Sequence, residues 1–98
     1  MPPFYEDAAH LMLFLIRAGL VIRPGVDCRI ALLRLADRLL VRQRDARGLT
    51  HFGAATWILD DLEKQRLVSC DRRMRLKIIA VLGTGIADIE ATGKTENR

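Results

Sequence analysis

The side chains best equipped for chemistry in this chain are cationic, and they fall in two groups. Arg42, Arg44 and Arg47 close one segment, and Arg72, Arg73 and Arg75 form a second group followed by Lys77. Guanidinium groups set this closely suit a polyanion, whose phosphate oxygens they can grip two at a time. Between the groups lie Thr50, His51 and Thr56. Their side chains both donate and accept hydrogen bonds, as contact with base edges requires. Bond-making chemistry is poorly served. The chain has two histidines, no carboxylates paired in an apolar setting and no nucleophile elbow, so no enzyme activity is expected. Cys28 and Cys70 stand far apart without metal-ligand spacing and read as reduced, core or half-buried residues. Gly83-x-Gly85 lacks the further glycines and the Lys-Ser/Thr of a phosphate-cradling loop. Neither metal nor cofactor is expected.

Length and composition set the frame for these groups. Ninety-eight residues, half of them hydrophobic, suit one small domain over 1–98. A core of that size is limited and invites completion by dimerisation. Net charge is +4, and the basic stretches 23–47 and 66–77 flank an acidic stretch over 48–65. That balance favours a polyanionic partner. The chain begins Met-Pro-Pro and carries Glu6 and Asp7, unlike a signal peptide. The apolar run Ala8 to Ile22 contains His10 and Arg17 and falls short of the roughly 20 residues that cross a bilayer. A cytoplasmic location, without membrane contact, is the expectation.

The elements that must position these residues follow from periodicity. Glu6 and Asp7 suit a helix start, and the first helix should run to about Ala18 and stop at Gly19. Ala8, Leu11, Met12, Leu13, Phe14, Leu15 and Ile16 cover nearly its whole circumference. A helix apolar all round needs cover on several sides, so residues 1–22 are expected to pack against a second copy, with a central core helix in a monomer as the alternative. His10, within that run, reads as a core or interface residue. Leu20 to Arg23 suits a short extended piece, and Arg23-Pro24-Gly25 a turn. Asp27 should cap a second helix from Cys28 to about Ala46, ending at Gly48. Thr50 should cap a third, with Ala54, Ala55, Ile58, Leu59 and Leu62 as its packing stripe. Trp57 reads as a core or interface anchor. Asp60, Asp61 and Glu63 would repel phosphate, so that end of the helix should point away from any nucleic acid.

Beyond Lys64 the period changes. Val68 and Cys70 alternate with Leu67 and Ser69, and Leu76, Ile78, Ala80 and Leu82 alternate with Arg75, Lys77, Ile79 and Val81. Two-residue spacing on both sides of a charged turn at Asp71-Arg72-Arg73-Met74 predicts a hairpin. Gly83 and Gly85 should break its second strand. Ile86 and Ile89 start a short last helix, and residues 92–98 form a frayed tail.

The string LEKQRLV, the Asp-Arg-Arg turn, and IAVLGTG followed by IADIEA resemble the recognition helix and wing of winged helix-turn-helix regulators, of the multiple-antibiotic-resistance-regulator and PadR types. The likeness covers residues 49–91. Arg66 departs from it, standing where those families place glycine. The Thr84-Gly85 pair is shorter than the family's Thr-x-x-Gly string. The resemblance implies a mainly α fold with a small β-hairpin, a winged helix-turn-helix that binds duplex DNA as a homodimer and regulates transcription. Arg42, Arg44, Arg47, Arg72, Arg73 and Arg75 would then contact phosphates, and Thr50, His51 and Thr56 would read bases. The third helix has no Arg or Lys in its first three turns, and Arg or Lys to guanine is the commonest specific contact. An alternative is therefore a winged-helix protein–protein interaction or assembly module without DNA binding, presenting Phe52 and Trp57. A third reading is a plain helical bundle in which residues 67–82 are helical.

Overall fold

The computed structural model describes residues 2–45 and 48–96. They form a mainly helical fold with a small two-stranded antiparallel sheet. Helix α1 spans Tyr5–Arg17, strand β1 Val21–Ile22, α2 Cys28–Arg44, α3 His51–Lys64, β2 Val68–Ser69 and α4 Arg75–Glu96, with a 3-10 turn over Arg72–Met74.

Local chemistry sets most of the element ends. The Asp27 carboxylate accepts from the backbone N–H of Arg29 at 2.9 Å and opens α2. The Thr50 hydroxyl accepts from the N–H of Gly53 at 2.9 Å and opens α3. Helix α1 ends at Ala18 and hands the chain to Gly19, whose φ of +117° is open only to glycine. After α3, Arg66 takes up the left-handed conformation with φ 59°. Its N–H donates to Glu63 O at 2.9 Å, and that of Leu67 donates to Leu62 O at 3.1 Å. This is the glycine-favouring helix stop, held here by an arginine.

The extended piece at Leu20 to Arg23 pairs with the one after α3. Val21 lies opposite Ser69 and Ile22 opposite Val68, and Arg23 N–H donates to Leu67 O at 3.0 Å. The sheet thus joins strands 45 residues apart; it is not a hairpin, and the expected wing is absent. Residues 75–82, expected as the wing's second strand, are the first two turns of α4. Asp71 caps the 3-10 turn by accepting from Arg73 N–H at 2.9 Å, and the helix follows directly.

Burial shows why the helix wins. A strand would bury Leu76, Ile78, Ala80 and Leu82 together, but Leu76 is 73% exposed and Ala80 is exposed too. Ile78, Ile79, Leu82 and Ile86 are buried, at helical spacing, against the other helices. Gly83 and Gly85 do not break the element. They point about 200° apart on the helix, Gly83 toward the backbone of His51 and Phe52 in α3, Gly85 toward Leu11 in α1. The missing side chain at Gly85 lets α1 lie close to α4, whereas a Cβ at Gly83 would make only an ordinary contact with α3. The helix continues to Glu96, through most of the expected frayed tail; Asn97 and Arg98 lie outside the described residues.

Ala8, Leu11, Met12 and Leu15 of α1 are buried within the chain against α2 and α4. Leu13, Phe14 and Ile16 remain exposed. Intramolecular packing therefore covers one side of the helix and leaves the other open, with these apolar residues among Asp7, His10 and Arg17. Among the described residues no helix is long and apolar enough to cross a membrane.

Candidate functional site

Of the nine residues expected to meet DNA, the eight among the described residues do not form one surface. Arg42, on the last turn of α2, is only 7% exposed. Its Nε donates to Glu90 Oε2 at 3.2 Å and an Nη donates to Leu49 O at 2.8 Å. His51, at the start of α3, donates from Nε2 to the other oxygen of Glu90 at 3.0 Å. One carboxylate of α4 thus ties the end of α2 to the beginning of α3, and Arg42 serves the fold. Glu90 carries no sequence signal of this role, because its partners are 48 and 39 residues away.

Arg75 is also committed. On the first turn of α4 it forms ion pairs with Asp60 and Glu63 of α3. The hydrogen bond it donates to Glu63 is the main reason its guanidinium is held charged more firmly than usual. Asp61 accepts two hydrogen bonds from Arg34 of α2, at 2.9 and 3.1 Å, which raises the Arg34 pKa in the same way. The three α3 carboxylates expected to face away from phosphate are instead bound to two arginines of neighbouring helices.

The hydroxyl-bearing residues are occupied locally. Thr50 caps α3, and the Thr56 hydroxyl donates to Phe52 O at 3.0 Å, one turn back on its own helix. Arg44, Arg72 and Arg73 are exposed, the latter two in the 3-10 turn rather than at a wing tip. Arg47 lies outside the described residues. Trp57 is at the surface, with the Arg38 guanidinium 5.6 Å from its ring centroid. Cys28, expected in or near the core, is exposed. Cys70 is half-buried, and that burial pushes its thiol pKa up. No group of three potential ligands that could hold a metal occurs among the described residues.

A more continuous surface lies along α4. Helices α1 and α4 run antiparallel, with Gly19 against Met74 and Leu11 against Gly85. Between them lies a groove of about 480 Å³, with Asp7, His10 and Phe14 on one wall and Ala80, Thr84 and Asp88 on the other. On the far side of Ala80 and Thr84 is a second hollow of about 350 Å³, against His51 and Phe52 of α3. Two aromatic rings, Phe14 at 56% exposure and Phe52 at 51%, therefore border a floor of small side chains. His10, expected inside the protein or at an interface, is an exposed residue of this groove. No family model, characterised protein or solved structure matches this chain.

Proposed function

We propose that this protein is an interaction module that assembles with another protein chain through the α1–α4 face. What supports the reading is a contrast between two surfaces. The outer side of α3 has no free arginine to offer a base, and its carboxylates are held by Arg34 and Arg75. The α1–α4 face, by comparison, exposes Phe14 beside a preformed apolar groove and Phe52 beside the adjoining hollow. Large apolar side chains clustered beside a groove are the usual mark of a protein-binding surface. The order of elements up to β2 fits a winged-helix module in which a long helix stands where the wing would be. The test is an anisotropy titration with random duplex DNA at about 20 mM salt, where screening is weakest. No saturable binding is expected.

A second reading keeps duplex DNA as the partner and transcription regulation as the role. It is favoured by the exposure of Arg44, Arg72 and Arg73 and by the net charge of +4. On this reading, binding in the same titration weakens steeply with salt, and Arg72→Ala with Arg73→Ala lowers the slope by about two counterions. A measured slope of that kind would replace the assembly reading.

A further inference from the structure

We infer that the chain on the α1–α4 face is a second copy of this protein, docked antiparallel about a two-fold axis. The inference deepens the assembly reading by naming its partner, and it rests on how charge is laid out along the groove.

The exposed stripe of α4 reads Lys77, Ala80, Thr84, Asp88 at helical spacing, with Arg73 in the 3-10 turn just before it. It is cationic at the start, small in the middle and anionic towards the end. The exposed stripe of α1 beside it reads Asp7, His10, Phe14, Arg17. Because α1 runs antiparallel to α4, like charges meet at each end of the groove. Asp7 and Asp88 both line one end. Towards the other end Gly19, two residues after Arg17, packs on Met74, three residues before Lys77, and the Arg17 guanidinium stands 5.9 Å from the Phe14 ring centroid. The groove therefore runs from a negative end through an apolar middle towards a positive end, and among the described residues Asp7, Asp88, Arg17 and Lys77 form no ion pair that would neutralise it.

A two-fold axis across the middle of the groove, near Ala80 to Thr84, supplies what is missing. It sets the negative end of each copy over the positive end of the other. Lys77 then approaches Asp88 of the second copy, and Arg17 approaches Asp7. The same operation brings the small residues of the two α4 helices face to face, and Ala80 and Thr84 permit close approach of the backbones. Phe14 and Phe52 of each copy flank the contact and enter the hollows on either side. A two-fold contact needs a self-complementary patch, and this charge order provides one. It also covers Phe14, which intramolecular packing leaves open.

Sedimentation of the full chain across concentration tests the inference. The expected result is a mass of two chains at tens of micromolar, with Ala80→Arg monomeric and its circular dichroism unchanged. Lys77→Glu should raise the dissociation constant about tenfold, by reversing two symmetry-related pairs. Adding Asp88→Lys to Lys77→Glu should restore the original value. This charge-swap pair keeps the test intact if Ala80→Arg disturbs folding. A chain that stays monomeric at about millimolar concentration overturns the inference, as does a dimer insensitive to Ala80→Arg or a charge reversal that the second change does not rescue. A monomer that also ignores DNA sinks only the second copy as partner, whereas salt-dependent DNA binding sinks the assembly reading itself.

Discussion

Gly85 faces Leu11 so closely that a Cβ on the glycine would stand 3.1 Å from Leu11 Cδ2 and nearer still to Cδ1. Two residues earlier, a Cβ on Gly83 would meet its nearest neighbour, His51 O, at 3.5 Å, an ordinary contact. The two glycines of one helix therefore have different reasons for being there. Gly83→Ala should stabilise the protein, because alanine is favoured over glycine in a helix interior by about 1 kcal/mol and no clash opposes it. Gly85→Ala gains the same propensity but crowds the buried Leu11, and overpacking costs about 1–3 kcal/mol. Urea denaturation should show midpoints moving in opposite directions.

Glu90 accepts from both Arg42 and His51. Removing its carboxylate leaves the Arg42 guanidinium in a nearly buried site with fewer acceptors. Glu90→Ala should cost about 2 kcal/mol in equilibrium unfolding, the range for a hydrogen bond to a buried charge. His51→Ala should cost under about 1 kcal/mol, because that ring is half exposed and its contact is screened. A larger loss at His51 than at Glu90 would contradict this order.

Arg66 pays a conformational penalty that a helix stop of this geometry usually avoids through glycine. Left-handed backbone costs an ordinary L-residue about 1–2 kcal/mol, and glycine adopts it freely but has more freedom to lose on folding. Arg66→Gly should therefore stabilise by about 0.5–1 kcal/mol, read as a rise in thermal midpoint. Arg66→Val should lower it, since branching at Cβ makes the same conformation worse.

Cys70 should be the slower of the two thiols to react. Burial is the main cause that lifts its pKa above the usual 9.0, and thiolate is the reacting form. Iodoacetamide at neutral pH should modify the exposed Cys28 first, as resolved by mass spectrometry of the intact chain. The pH dependence has a fixed sign. Because the folded pKa is raised, the neutral thiol's contribution to stability is whole below pH 9 and is lost as pH rises through the folded value. Cys70→Ala should remove that alkaline decline.

What could be read in the sequence was whatever neighbouring residues settle among themselves. Asp27 and Thr50 fix two helix starts through bonds to N–H groups two and three residues on, and Gly19 ends α1 by its own backbone freedom. The short extended piece at Leu20 to Arg23 was legible too, though its partner across the chain was not. Tertiary structure decided the rest. The run from Leu76 to Ile89 is apolar enough to fit either a two-residue or a helical period, and only the surfaces of α1 and α3, reached through Gly85 and Gly83, select the helix. The roles of Arg42 and Arg75 turned on carboxylates 48 and 12–15 residues away. A charge written in one dimension has no assigned partner, and folding supplies one by bringing distant groups within a few ångströms in a medium that screens them weakly.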